Sequence, residues 1–243
     1  MLYKEKDNKN DIIDIILLTY NNIENTQLCI NHLYRYTKNF GLIILDNNSK
    51  DGTVEYLKKV ADENDNITLY ISLSNLGCVN GRNHAYTFSK ETEYICFLDN
   101  DQFVQQGWLN SYLSIMKEGY DIVGTEGWKL RPDLYPLKKV NKYETYNYVG
   151  CGGMVVKRKV IEDVGLFDSD YNPMYFEDPD FCFRSHDVGY KIFWNDKEKI
   201  FHKPHKLLGH TGERPKYFRR SLGIFREKWK NYKLPIFQNL IAK

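Results

Sequence analysis

The chain has 243 residues, 42% hydrophobic and 27% charged, which is ordinary globular usage and enough to bury a sizeable core. Lys plus Arg number 34 against 32 Asp plus Glu, and a net charge of +2 removes any whole-protein electrostatic case for nucleic-acid binding. No apolar run is long enough to span a bilayer, and Met1 to Asp11 is mostly polar without the apolar core of a secretory signal, so the expected compartment is the cytoplasm.

The first hundred residues alternate short apolar runs with helical patterns. Ile12 to Leu18 reads as a strand ending in the turn Thr19-Tyr20-Asn21-Asn22, and Thr26 to Tyr36 has helical spacing. Leu42 to Leu45 is a second strand, ending at Asp46-Asn47-Asn48-Ser49. Asp51-Gly52 turns the chain, and Thr53 opens a helix to about Asp62. Ile67 to Ile71 is a third strand, Cys78 to Ser89 a helix, and Tyr94 to Leu98 a fourth strand ending at Asp99-Asn100-Asp101. This cadence predicts βαβ units and a largely parallel sheet. Three apolar strands therefore end in Asn/Asp clusters, and in an open α/β sheet ligands bind beyond those carboxyl ends.

The second half is less regular. Gly124 to Val140 reads as loop, Val149 to Val156 as a strand whose glycines allow close approach of a ligand, and Lys157 to Val164 as a short helix. A helix opens at Phe176-Glu177-Asp178-Pro179-Asp180 and stops at Gly189, and Lys191 to Trp194 and Lys199 to His202 read as short strands. Arg214 to Lys233 is basic, with Phe218, Leu222, Phe225, Trp229 and Tyr232 at helical spacing; such a helix packs on a core or lies on an anionic membrane surface. The expected organisation is a polar extension over 1–11, one domain over 12–212 with halves dividing near 101, and a basic aromatic segment over 213–243. The five cysteines have no CxxC spacing and are expected to be buried free thiols.

Asp99 and Asp101, at i and i+2 past a strand, are placed to share a divalent cation, although Asp168-Ser169-Asp170 and Asp178-Pro179-Asp180 repeat the spacing. Only the first follows a clean apolar strand.

These motifs together resemble a family 2 glycosyltransferase of the GT-A fold. The resemblance is carried by Ile15-Ile16-Leu17-Leu18-Thr19-Tyr20-Asn21, Leu45-Asp46-Asn47-Asn48-Ser49-Lys50-Asp51-Gly52-Thr53, Asn75-Leu76-Gly77 with Gly81-Arg82-Asn83, and Asp99-Asn100-Asp101. Gly152-Gly153-Met154, Val164-Gly165-Leu166-Phe167-Asp168 and Phe176 to Arg184 then follow in the family's order. It implies a Rossmann-like α/β domain with a mixed, mostly parallel sheet flanked by helices. It also implies an inverting, metal-dependent enzyme that moves a sugar from a nucleoside diphosphate, UDP favoured and dTDP open, to a hydroxyl of a glycan or lipid-linked glycan.

By that resemblance Thr19, Tyr20, Asn21, Asp46, Asn75, Gly77, Arg82, Asp99 and Asn100 hold the nucleotide. Asp101, with Asp99 directly or through water, and His202 hold Mn2+ or Mg2+, with His205 and His210 as rivals to His202. Asp178, or else Glu177, is the base, and Gly152, Gly153 and Trp128 lie toward the acceptor. The same motifs leave two alternatives, a sugar nucleotidyltransferase and a non-catalytic sugar-binding module. The C-terminal segment offers a peripheral contact with the inner face of a membrane.

Overall fold

The computed structural model describes residues 1–6, 12–142, 144–197, 199–203 and 212–239. His205, His210 and Tyr143 lie outside the described residues. The chain runs β1 (Leu2–Lys4), β2 (Ile13–Thr19), α1 (Ile23–Tyr36), β3 (Phe40–Asp46), α2 (Thr53–Glu63), β4 (Ile67–Ile71), α3 (Cys78–Tyr86) and β5 (Tyr94–Asp99). There follow β6 (Gln102–Val104), α4 (Trp108–Lys117), β7 (Ile122–Gly124), β8 (Gly127–Leu130), β9 (Pro136–Lys139), β10 (Tyr148–Val149), β11 (Met154–Lys157) and α5 (Arg158–Val164). The last elements are α6 (Glu177–Asp187), β12 (Ile192–Trp194), β13 (Ile200–His202) and α7 (Arg214–Trp229).

A mixed sheet of eight strands in the order β1-β4-β3-β2-β5-β11-β7-β12 forms the centre. Strands β4, β3, β2 and β5 are parallel, and β11 runs antiparallel between β5 and β7. Every residue of β2 and β3 is buried, as apolar strands covered on both faces require. One layer packs Leu33, Leu57, Trp108 and Tyr112 on one face of the sheet, and the other packs Val79, Phe167, Phe181 and Phe225 on the opposite face. Strand order reverses on the two sides of β2, so the ligand crevice is expected outside the carboxyl ends of β2 and β5.

Three regions depart from the sequence reading. The N-terminus is not a polar extension, because β1 pairs antiparallel with β4 and Lys6 is buried in an ion pair with Asp14. Asp14 is the lone charge inside β2, and it also accepts hydrogen bonds from Ser89 Oγ at 2.7 Å and the Lys90 amide at 2.9 Å. A charge buried that deeply needs a counter-charge, and the chain before β2 brings it. The stretch read as loop from Gly124 is instead a small three-stranded sheet, β10-β8-β9. The strands are too short, and too mixed in burial, for alternation to show. Finally, α7 buries Leu222, Phe225 and Trp229 in the main core, so that apolar face is not available to a lipid surface. Among the described residues no helix is long and apolar enough to cross a membrane.

Replacing Lys6 by Met removes the nearer of two cations beside Asp14 and leaves only Arg158 Nη2, 3.7 Å from Oδ2. The expected loss is about 3 kcal/mol, or roughly 6–12 °C in Tm for a chain of this length. Thermal unfolding followed by circular dichroism measures it, and an unchanged Tm would show that the N-terminal pair does not stabilise the sheet.

Candidate active site

The strand exits form one rim. Thr19 stands beside Asp46 and Leu18 beside Asp99 across the parallel ladders. The rim is wired internally. Asp46 is fully buried, and its carboxylate accepts from the Ser49 amide at 2.8 Å, from Ser49 Oγ and from Thr19 Oγ at 3.0 Å. Its acceptors are thus filled by its own loop, so Asp46 and the equally buried Thr19 shape the rim rather than reach out from it. Asn21 takes the Lys50 amide on its side-chain oxygen at 2.8 Å, while its backbone carbonyl accepts from Asn100 Nδ2 at 2.9 Å. Tyr20, 42% exposed, is the open ring at this edge. Asn75 is exposed and caps the Gly77 amide at 2.8 Å. Gly77 has φ +84°, and a Cβ there would lie 2.4 Å from Asn172 Oδ1, so both its conformation and its neighbour require glycine.

Arg82 joins the two halves. It is 4% exposed, with Nη2 2.7 Å from Asp99 Oδ1 and Nη1 3.3 Å from Glu177 Oε1. The residue on α3 therefore ties the end of β5 to the start of α6. Glu177 Oε2 and Arg82 Nε are buried without partners. Burial raises the Glu177 pKa against the pull of Arg82.

Asp178 follows, half-buried. Burial, and then the Glu177 carboxylate beside it, push its pKa well above the ordinary range. A Cβ on Gly150 would lie 3.8 Å from Asp178 Oδ2 and 3.6 Å from Trp128 Nε1, so the carboxylate and the indole flank one point. Trp128 is itself stacked on Tyr148, with ring centroids 6.4 Å apart and planes at 13°.

Gly152 and Gly153 serve the chain itself rather than opening a path to an acceptor. A Cβ on Gly152 would meet Gln102 Nε2 at 2.7 Å and Asp99 Oδ2 at 3.0 Å, and one on Gly153 (φ +72°) would meet Thr125 Oγ at 2.2 Å. The glycine run lets the chain entering β11 pass against the rim.

On the other side of Asp99, His202 Nε2 lies 3.5 Å from Asp101 Oδ1, and its Nδ1 lies 3.5 Å from Glu126 Oε1. These two carboxylates raise the His202 pKa to about 10. Although burial opposes it, the His202 and Lys139 contacts hold Glu126 at about 2. Sequence reading missed Glu126; it sits in a turn between two short strands, where nothing marks it. Among the described residues no group of three or more His, Cys, Asp or Glu stands ready to hold a metal ion. Asp101 and His202 still fit one shared cation: donors on adjacent positions of such an ion stand about 3 Å apart. Carboxylate oxygen with imidazole suits Mn2+.

The chain belongs to glycosyl transferase family 2, whose model matches residues 14–193. It is 28% identical over 159 residues to the glycosyltransferase AglE of Haloferax volcanii, covering 64% of this chain and 51% of AglE. It thus spans about half the length of that relative. The fold matches GalNAc-T7 solved with UDP, GalNAc and Mn2+ (TM-score 0.72, 11% identity, 90% of this chain and 48% of that one). It also matches Staphylococcus aureus TarS with UDP-GlcNAc (TM-score 0.65, 16% identity, 92% and 68%). A third match is the mannosyltransferase PcManGT of Pyrobaculum calidifontis with GDP-Man and Mn2+ (TM-score 0.69, 16% identity, 96% and 70%).

The raised Asp178 pKa has a stability consequence. A group with a raised folded-state pKa contributes stability that is complete below its unfolded value, about 3.9, and is lost as pH rises through the folded value. At pH 7 the Asp178 carboxyl therefore costs stability that it does not cost near pH 4, and Asn, which mimics the protonated carboxyl, removes that cost. Asp178→Asn is expected to raise Tm at pH 7 by roughly 2–4 °C, the effect of about 1 kcal/mol. The increment should shrink toward pH 4; calorimetry across that range checks it, and a variant less stable at pH 7 would contradict the assignment.

Proposed function

We propose that the chain moves a sugar from a nucleoside diphosphate, a UDP-sugar in the first place and a dTDP-sugar as the alternative, to a hydroxyl of a glycan or lipid-linked glycan, with inversion. The observation that carries this reading is the Asp99–Arg82–Glu177 bridge, which brings Asp178 and the strand exits to one crevice. Structural neighbours solved with UDP, UDP-GlcNAc or GDP-Man support a nucleotide-sugar donor, and the Mn2+ in two of them supports a divalent metal.

In this reading Tyr20 borders the base, and the Asn21–Asn100 contact and the Asn75–Gly77 turn shape the pocket around the nucleoside. Thr19 and Asp46 hold that pocket from beneath. Asp101 and His202 hold the cation, which when bound neutralises charge on the departing diphosphate. Asp99 is paired through Oδ1 to Arg82, so its share in metal binding runs through the other oxygen or through water. Glu126 turns the His202 ring so that Nε2 faces Asp101, as carboxylates commonly orient metal-binding imidazoles.

Asp178 takes the proton of the acceptor hydroxyl as its oxygen bonds to the anomeric carbon and the bond to the diphosphate oxygen breaks. Its raised proton affinity makes it a stronger base than a solvated aspartate. A single displacement of this kind inverts the anomeric centre without a covalent intermediate. Glu177, occupied by Arg82, positions rather than reacts. Trp128 lies where a sugar ring passes Asp178.

Release of nucleoside diphosphate from a panel of UDP-, dTDP- and GDP-sugars with Mn2+ tests the reading. Asp178→Asn is expected to lower turnover by about 10²–10⁴-fold while Mn2+-dependent UDP binding by calorimetry stays within about twofold. Asp101→Ala should abolish the Mn2+ dependence of UDP binding. Because the base must be ionised, turnover should rise with pH through an inflection above the ordinary carboxylate range. Full activity in Asp178→Asn, or a product of retained configuration by NMR, would overturn the mechanism.

A further inference from the structure

We propose that α7 is a positioning element of the catalytic site, holding in place the turn that aims Asp178. The inference rests on the reading of Asp178 as base. Tyr175 and Phe176 are consecutive non-glycine residues in the left-handed region, with φ +79° and +71°. Each such residue is strained and persists only where its surroundings over-determine it. The turn cannot hold itself, since α6 starts from Phe176 with no side-chain cap.

What holds it comes from α7. The Phe218 ring lies 5.5 Å from that of Tyr175 and 5.3 Å from that of Phe176, and Phe225 lies 5.3 Å from Phe176. Ser221 Oγ donates to the Met174 carbonyl at 3.0 Å, and Arg220 Nη1 donates to that of Asn172 at 2.8 Å.

One half-turn beyond Asp178 lies Asp180, fully buried, its Oδ1 accepting from Trp229 Nε1 at 2.9 Å and paired with Lys228 Nζ at 2.8 Å. Arg184 Nε closes on its other oxygen at 2.8 Å. One helix thus grips the segment both before and after Glu177 and Asp178. The exits of β2, β3 and β5 take no part in these contacts, and the loop before α3 and the first turn of that helix meet the segment only at its beginning, where Asn172 Oδ1 accepts from the Asn80 amide at 3.1 Å. Loosening the grip of Phe218 and Trp229 on Tyr175 to Asp180 therefore affects the proton-accepting step and spares nucleotide binding.

The test uses the full chain with Phe218→Leu, which removes the ring, Phe218→Tyr, which keeps it, and Trp229→Phe, which removes the indole N–H together with part of the ring. Arg219→Ala, on the exposed face of α7, is the control, and Asp178→Asn runs alongside. Amide exchange by mass spectrometry should be faster over 172–182 in Phe218→Leu and Trp229→Phe, unchanged over 94–101, and wild-type throughout in Phe218→Tyr and Arg219→Ala. With the most active donor of the panel, the two loosened variants should lose about 10–100-fold in kcat at constant donor KM. Unchanged exchange over 172–182, or faster exchange with unchanged kcat, overturns the proposal, as does a loss that falls equally on kcat and UDP-binding stoichiometry. Retained turnover in Asp178→Asn instead removes the base reading, an outcome separate from the exchange result.

Discussion

The buried guanidinium of Arg82 is the interaction on which the rest of the site depends. It neutralises Asp99, at the end of β5, and Glu177, at the start of α6. Without it, carboxylates from two distant parts of the chain would meet in a poorly solvated cleft and repel one another. His202 lies between Asp101 and Glu126, 3.5 Å from each. Asp178 stands outside these pairs: burial, and then the Glu177 carboxylate beside it, raise its proton affinity.

The rim around this charge pattern is preorganised by polar side chains that do not face outward. Asn47 donates from Nδ2 to the Gly77 carbonyl at 3.1 Å and accepts the Leu76 amide on Oδ1 at 3.0 Å, locking the second strand exit to the loop before α3. Asn100 does the same between the first and fourth exits. Loops fixed to one another before a ligand arrives lose less freedom on binding, which leaves more of the contact energy for affinity and orientation.

A strained turn at the heart of such a site is consistent with this economy of motion. The left-handed pair Tyr175 and Phe176 reverses the chain sharply enough to set two carboxylates side by side, and aromatic packing from the C-terminal helix balances the local cost. The stripe that reads in the sequence as a possible lipid-facing surface is therefore spent inside the molecule. The basic residues on the same helix are drawn into pairs such as Arg226–Asp133 and Lys228–Asp168.

The parallel half of the sheet was legible because its strands are nearly pure apolar runs separated by turn residues and helical spacing, signals local to a few residues. Ile67–Ile71 matches the expected strand end to end, and the three polar strand exits do lie on one rim. The helix Trp108–Lys117 carried an equally clear periodicity that the reading passed over. The small sheet over Gly127–Val149 was not legible, because its strands acquire their pattern from partners far along the chain. Residue type also named Asp101, His202 and Asp178 as chemical groups. It could not say that Asp46 and the paired glycines face inward, that Glu126 turns His202, or that Lys6 answers Asp14. Sequence by itself determined which stretches bury apolar surface and which side chains bring charge. Only the tertiary structure decided which charges meet, because electrostatic energy depends on separation in space and on exclusion of water, neither of which is a property of neighbours along the chain.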